Sequence, residues 1–225
     1  MLRKLYNGFL NFILPNTCLA CDNITGQNEQ YLCNNCLSRL EPYNETHPWQ
    51  KEKIEEGIIN NSFSAFWFRE GTPIQSLFHS LKYKKIKSAG IMLGAETGKK
   101  LPLPEGVNFD MIIPVPLHNA KLRERTYNQS EFIAKGLSSV LNIPVAANAV
   151  HRNRFTPSQT KLNKSERKEN VAGAFEVNEK HKSLIAGKNI IICDDVITTG
   201  ATILECASAI RAAGAGYILI CSAAY

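Results

Sequence analysis

Long hydrophobic runs, internal repeats and low-complexity tracts are absent from this sequence of 225 residues. Because no stretch of 18 consecutive apolar residues occurs, the sequence predicts no membrane-spanning helix. Hydrophobic residues make up 44% and charged residues 20% of the chain, which excludes an intrinsically disordered, collagen-like or small disulfide-rich protein. The length suits one α/β domain with a small attachment.

Acidic residues are scarce in one part of the chain. The formal charge is +6 overall, yet residues 118–168 alone contain ten Lys or Arg and only three Asp or Glu. The remainder is therefore close to neutral. Such a concentration of positive charge indicates a partner that carries phosphates.

Four of the seven cysteines form two C-x-x-C pairs, separated by eleven residues: Cys18, Cys21, Cys33 and Cys36. Two such knuckles predict a four-thiolate Zn²⁺ site in a small ribbon, with Gly26 at a turn. Because four cysteines leave no open coordination position, we interpret the site as structural, and disulfides are the alternative. The five histidines show no metal-binding spacing.

The other three cysteines, Cys193, Cys206 and Cys221, lie singly in apolar stretches. An odd total with unpaired thiols favours a reducing compartment. The N-terminal Met1–Lys4 segment imitates a signal peptide, but the apolar residues that follow repeat at helical spacing. We therefore expect a cytoplasmic protein.

The chain divides into four predicted parts. Residues 1–14 form an amphipathic helix, residues 15–42 form the cysteine module, residues 43–105 form a linker and hood, and residues 106–225 form a core. The polar residues 41–57 are expected to be an exposed connection. In the hood, a strand is predicted over Ser62–Phe68, a helix is predicted to begin after Thr72, and a second helix is predicted over Ser88–Lys100.

From residue 106 onward, apolar strands alternate with amphipathic helices. We predict strands over Met111–Val115, Asn189–Cys193 and Tyr217–Ala223, with helices around residues 132–141 and 203–210. This alternation indicates an α/β fold with a parallel sheet that is buried on both faces. Ligands of such folds bind beyond the carboxyl ends of the strands.

The strongest motif is the run Ile190–Thr202, in which a buried strand ends in Asp194 and Asp195 and a short loop then opens a helix. Gly200 permits a tight turn, and a helix start with nearby threonine hydroxyls suits a phosphate. The paired carboxylates suit sugar hydroxyls or a hydrated Mg²⁺. Together these groups fit a ribose 5-phosphate, and a plain strand–turn–helix with capping threonines is the alternative.

This run resembles the phosphoribosyl-pyrophosphate (PRPP) signature of type I phosphoribosyltransferases. Three further segments are similar to the ComF family of competence-associated proteins, which includes the GntX-like proteins: Asp110–His118, Arg123–Gln129 and Arg152–Phe175. The family also begins with a paired C-x-x-C module. Thr126 departs from the family pattern, which usually has glycine at this position. Because threonine has a side chain, its loop is not expected to approach a pyrophosphate as closely as glycine would allow.

The resemblance implies a set of site residues. Asp194 and Asp195 would be the catalytic pair and would contact the ribose hydroxyls and Mg²⁺. The phosphate loop would hold the 5-phosphate through Thr198, Thr199, Gly200, Ala201 and Thr202. The pyrophosphate side would be formed by Leu117, His118, Arg123 and Arg125, and guanidinium groups do bind such anions well. A solvated basic turn is the alternative for these arginines. Lys82 and Tyr83 match a Lys-Tyr pair that is common in the family. The resemblance gives this pair no mechanism, and Lys82 is equally consistent with an ordinary surface lysine.

A further basic segment contains Arg152, Arg154, Lys161, Lys164 and Arg167. The resemblance implies a flap that closes over the site and excludes water. Basic residues around Phe155 also fit a surface that follows single-stranded nucleic acid. A solvated loop is the third interpretation.

Two functions follow. The ComF resemblance implies a PRPP-binding protein that handles single-stranded DNA during natural transformation, with a helicase-like competence ATPase docked on the zinc module. The alternative is an active, Mg²⁺-dependent phosphoribosyltransferase that releases pyrophosphate and uses an unknown base or amine as acceptor. Fold alone does not establish transfer.

Overall fold

The computed structural model describes residues 16–26, 29, 31–153 and 173–225. The N-terminal helix predicted over residues 1–14 lies outside the described residues. The helices and strands, in chain order, are α1 (Asn34–Ser38), α2 (Gln50–Glu55), β1 (Asn61–Phe66), α3 (Pro73–Lys82), α4 (Lys87–Lys100), β2 (Met111–Pro114), α5 (Asn119–Arg125), α6 (Gln129–Leu141), β3 (Val150–Arg152), β4 (Phe175–Val177), α7 (Glu179–Ile185), β5 (Ile190–Val196), α8 (Ala201–Ala212) and β6 (Ile218–Ala224).

Four of the strands form one parallel sheet in the order β1-β6-β5-β2. Side chains alternate across its plane, as the two-residue period of a strand requires. In β5, Ile191 and Cys193 join one hydrophobic cluster, whereas Ile190 and Ile192 join another. The sheet is thus covered on both faces, and the predicted parallel α/β fold is confirmed.

The first cluster lies under α3, α4 and α6 and also includes residues of the cysteine module. The second cluster lies under α8 and the small antiparallel pair β3–β4. Since all four main strands run in parallel, their carboxyl ends meet at one edge of the sheet. The end of β5 therefore presents Asp194 and Asp195 at that edge.

Strand β1 pairs with β6 in the main sheet, from Asn61 opposite Leu219 to Phe66 opposite Ala224. This strand was predicted to belong to the hood, but its backbone completes the sheet of the core. The helix that follows begins as predicted, with Thr72 as N-cap and Pro73 in the first turn.

Residues 41–57, predicted to be an exposed connection, are exposed along most of their length but include two buried aromatic side chains. Tyr43 and His47 are 4% and 2% exposed, and helix α2 lies within the segment. Tyr43 contacts the rings of Trp67 and Tyr225, with centroid distances of 4.6 and 4.8 Å. These aromatic residues are scattered among polar ones, so the sequence shows no periodicity that predicts their burial. They are buried because they pack against partners that are distant in the sequence.

Among the described helices, none has both the length and the apolar character needed to cross a bilayer.

Candidate functional site

A pocket of about 400 Å³ opens at the carboxyl edge of the sheet, around the end of β5. Its walls include Asp194 and Asp195, the whole segment from Val196 to Ile203, and residues that follow β2. All seven residues predicted to bind PRPP line this one pocket: Asp194, Asp195, Thr198, Thr199, Gly200, Ala201 and Thr202. The motif thus forms a concave site of the size that small ligands occupy.

The two carboxylates at the end of β5 have different partners. Asp194 accepts hydrogen bonds from the Ser130 hydroxyl at 2.7 Å and from the Asp195 amide at 2.8 Å. Burial, together with the charge of Asp195, raises the pKa of Asp194 to about 7. Asp195 instead forms an ion pair with Lys82, whose Nζ lies 3.1 Å from its Oδ2. Ser130 stands in the first turn of α6, where Asn128 caps the helix by accepting from the Ser130 amide.

The start of α8 has no side-chain cap. Gly200 is its N-cap residue, at φ +78°, a conformation that residues with a side chain rarely adopt. The first amide groups of the helix therefore remain available at the pocket, where they favour an anion. Capping threonines, the alternative interpretation of this motif, are not what the structure contains.

Trp49 packs against the loop that precedes α8, at Gly200. A Cβ atom at Gly200 would lie 2.6 Å from the indole Nε1, so only glycine fits against this ring. The indole stacks on His47, with centroids 4.8 Å apart and an interplanar angle of 6°. His47 in turn bonds to the Ser62 and Ser64 hydroxyls of β1 at 2.7 and 2.8 Å. The loop is thus connected to the edge strand of the sheet through two stacked rings.

Four cationic side chains face the two carboxylates across the pocket: Lys82, Lys121, Arg125 and Arg152. Burial and the nearby charges of Arg125 and Arg152 lower the pKa of Lys121. Burial likewise lowers the pKa of Arg152. Among the described residues that line the pocket, these four cations face two carboxylates, and such an excess of positive charge suits an anion.

The structure divides the residues predicted on the pyrophosphate side. Leu117 and Arg125 line the pocket, whereas Arg123 is exposed on α5. Two residues that are two positions apart on a helix point in nearly opposite directions, which explains why Arg125 lines the pocket and Arg123 does not. His118 is the N-cap of α5, and its Nδ1 accepts from the Ala120 amide at 3.1 Å.

Of the flap residues, only Arg152 is among the described residues, and it lines the pocket. Arg154, Lys161, Lys164 and Arg167 lie outside them. Lys82 had no predicted mechanism, and Lys121 was not predicted as a site residue. The Lys-Tyr pair was a signal that Lys82 belongs to the site. Lys121 is a single lysine among other basic residues, and nothing in the sequence distinguished it from them.

The four cysteines of the N-terminal module converge as predicted. Their Sγ atoms all lie within 4.8 Å of one another, and those of Cys21 and Cys33 are 3.8 Å apart. A tetrahedral Zn²⁺ with Zn–S bonds of about 2.3 Å requires S–S separations of about 3.8 Å, so the residues fit zinc. Backbone hydrogen bonds, against the opposing effect of burial, lower the pKa of Cys18 to about 6.

Comparison with known proteins agrees with both parts of the chain. The phosphoribosyl transferase domain family matches residues 128–225, and the double zinc ribbon domain family matches residues 9–47. A solved structure, glutamine PRPP amidotransferase from B. subtilis complexed with ADP and GMP, aligns with a TM-score of 0.42 and 20% identity. That alignment covers 61% of this chain and 26% of the other.

Two curated relatives are named for competence and for DNA utilization. Competence protein F of Haemophilus influenzae is 31% identical over 185 residues, which cover 81% of this chain and 73% of that protein. DNA utilization protein YhgH of Escherichia coli (strain K12) is 30% identical over 159 residues, which cover 66% of this chain and 65% of that protein. With a phosphoribosyltransferase-type core, a four-cysteine zinc ribbon and this level of identity, the chain belongs to the ComF family.

Proposed function

We propose that the pocket at the end of β5 binds PRPP together with Mg²⁺. In this proposal the amides at the start of α8, with Thr198, Thr199 and Thr202, hold the 5-phosphate. Asp194 and Asp195 contact the ribose hydroxyls and the metal. Leu117, Lys121, Arg125 and Arg152 lie on the pyrophosphate side. The observation that carries the proposal is that an uncapped helix start, a carboxylate pair and four cations share one pocket of about 400 Å³.

The donor set fits magnesium. Mg²⁺ is usually held by one or two carboxylates together with substrate phosphates and water, and the end of β5 offers two carboxylates. When bound, the metal would neutralise part of the pyrophosphate charge. Lys82, which now pairs with Asp195, would be close enough to contribute to the same neutralisation.

We further propose that the protein handles single-stranded DNA in the cytoplasm during natural transformation. The support is that relatives are named competence protein F and DNA utilization protein. The helicase-like ATPase that the ComF resemblance implies, docked on the zinc module, stays a prediction.

Transfer of the phosphoribosyl group to an acceptor is the weaker hypothesis. Among the described residues that line the pocket, the only carboxylates are those of Asp194 and Asp195, and no histidine is present. Both carboxylates are assigned to ribose and metal, so no separate general base is available there for an incoming nucleophile. A binding role therefore agrees better with the geometry.

Calorimetric titration of PRPP with Mg²⁺ into the protein tests the proposal, with Asp194→Asn/Asp195→Asn as the comparison. We expect saturable binding that the double variant loses. The exposed Arg123 provides the control, since Arg123→Ala should bind PRPP as tightly as the unmodified protein. Absence of binding by the unmodified protein would overturn the proposal.

Release of pyrophosphate is measured separately, with PRPP and a panel of bases and amines. Steady release that depends on one acceptor and is abolished in the double variant would favour the transferase hypothesis instead.

A further inference from the structure

A second polar groove lies between the zinc ribbon and helix α3. It has a volume of about 320 Å³ and is lined by Leu19, Gln75, Ser76, His79, Ser80 and Lys84. It shares no lining residue with the PRPP pocket. Leu19 directly follows the zinc ligand Cys18, so the groove exists only because the ribbon is packed beside α3.

Ser80 has an unusual environment in this groove. The residue is 1% exposed, and its hydroxyl is buried without a hydrogen-bond partner among the described residues. Buried hydroxyls in folded proteins normally have a partner. Ser80 thus places an unsatisfied polar group at the wall of the groove.

The lining residues match an anionic ligand. His79, Lys84 and Ser76 offer hydrogen-bond donors, and Lys84 adds a full positive charge. Gln75, in the first turn of α3, is held by the loop before the helix, because its Oε1 accepts from the Gly71 amide at 2.9 Å. No carboxylate is among the described residues that line the groove. A phosphate group suits such a set of donors.

Tyr83 stands beside the groove with its side chain in solvent. It is 70% exposed, and its ring centroid lies 5.0 Å from that of His79. Lys84 and Lys85 follow it and are also exposed. Aromatic rings between basic residues form the stacking surfaces on which proteins bind single-stranded nucleic acid.

We propose that this groove binds the phosphodiester backbone of single-stranded DNA, with a base stacked on Tyr83. The proposal rests on the DNA-handling part of the proposed function. Lys82, the residue before Tyr83, pairs with Asp195 in the PRPP pocket. The end of α3 thus contributes neighbouring residues to both sites, and DNA in the groove would pass close to the PRPP pocket.

The test is the fluorescence anisotropy of an end-labelled oligothymidylate, titrated with the full zinc-loaded chain at several salt concentrations. Tyr83→Ala should weaken binding about tenfold, whereas Tyr83→Phe should retain it, because only the ring is needed for stacking. Lys84→Ala should weaken binding and reduce the slope of log K against log salt by about 0.7. Lys180, an exposed lysine on α7 outside both sites, is the matched control, and Lys180→Ala should change neither quantity.

The outcomes separate this proposal from the proposed function. Tyr83→Ala and Lys84→Ala should still bind PRPP in the calorimeter, and Asp194→Asn/Asp195→Asn should still bind the oligonucleotide. If the groove variants bind DNA as tightly as the unmodified chain, the groove assignment is wrong and DNA handling stands on other residues. If the unmodified chain does not bind the oligonucleotide, both DNA proposals fail, and PRPP binding is judged by its own titration.

Discussion

Asp194 is proposed to bind a ligand as a carboxylate, but a buried carboxylate lowers the stability of the fold. Its carboxyl is buried beside a second carboxylate, and its pKa is raised to about 7 from an ordinary value of 3.8. Between these two values the folded protein binds more protons than the unfolded chain does. Stability therefore falls as the pH rises through this range. A buried acid with this cost is typical of a ligand site.

Asp194→Asn should remove this cost. We expect the free energy of unfolding of the variant to exceed that of the unmodified protein at pH 8, and the difference to diminish as the pH is lowered toward 4. Urea denaturation followed by circular dichroism at a series of pH values measures it.

Asp110→Asn is the control with the opposite sign. The hydrogen bond from Lys188 at 2.9 Å, with that from the Asn189 amide, lowers the pKa of Asp110. That aspartate stabilises the fold above its unfolded pKa, so its variant should lose stability at pH 8. Equal pH dependence in the two variants would contradict the assignment at Asp194.

Thr126 stands in a conformation that suits glycine. It ends helix α5 at φ +68°, with its amide donating to the Leu122 carbonyl at 2.7 Å. A β-branched residue in the left-handed region costs about 1 kcal/mol or more. The backbone at Thr126 thus has a shape that glycine adopts without strain.

Thr126→Gly should therefore raise the free energy of unfolding by about 1 kcal/mol. Asn142 caps α6 at φ +56°, and because asparagine tolerates this region, Asn142→Gly should have a smaller effect. Chemical denaturation of the two variants provides the comparison. A less stable Thr126→Gly protein would mean that the threonine side chain contributes more than its backbone strain costs.

Among the elements, α4 and α6 approach each other unusually closely. A Cβ atom at Gly94 would lie 2.0 Å from the Ile133 carbonyl oxygen, and one at Gly136 would lie 2.0 Å from the Ile91 carbonyl oxygen. Each helix thus contacts the backbone of the other through a glycine. This crossing fixes α6, whose first turn holds the Ser130 hydroxyl on Asp194.

Gly136→Ala should destabilise the protein by about 2 kcal/mol, since overpacking of about 3 kcal/mol outweighs a helix-propensity gain of about 1 kcal/mol. Gly98 lies in the same helix as Gly94, but its Cβ would lie 3.3 Å from the Val140 Cβ. Gly98→Ala should change the stability by less than about 1 kcal/mol. Thermal unfolding compares them, and similar losses in both would contradict the close crossing.

Some features of the elements and of the site could be predicted from the sequence, and others could not. The strands were predictable because apolar runs such as Ile190–Cys193 are local signals, although β5 continues to Val196. The Asp194–Thr202 motif was predictable because its residues are consecutive. By contrast, Lys82 reaches Asp195 across more than 110 positions, and the Trp49 support of Gly200 spans about 150. Such pairs depend on how elements pack, which periodicity does not encode.

At the scale of the whole molecule, the zinc ribbon and the core share one hydrophobic cluster. Cys18, Leu32 and Cys36 belong to the same buried set as Phe78 of α3 and Leu219 of β6. A module with its own separate core would unfold independently. Here the cysteine ligands of the metal belong to the shared cluster, so we expect loss of zinc to destabilise the core as well as the ribbon.

Removal of zinc by a strong chelator should therefore lower the midpoint of thermal unfolding by at least about 5 °C, in a single transition. Differential scanning calorimetry measures the shift, with zinc release followed by a chromogenic dye. Ile24→Ser is the matched control within the ribbon, because Ile24 is 70% exposed and should leave the midpoint unchanged.

The two ligand sites should respond differently to the same treatment. Leu19 forms one wall of the groove beside α3, so loss of the ribbon fold should weaken binding of oligothymidylate. The pocket proposed to bind PRPP contains no described residue of the ribbon. At temperatures below the lowered midpoint, its affinity for PRPP should persist. Equal loss of both affinities would instead mean that the ribbon supports the core sheet as a whole, and two separate transitions would mean that the shared cluster contributes little.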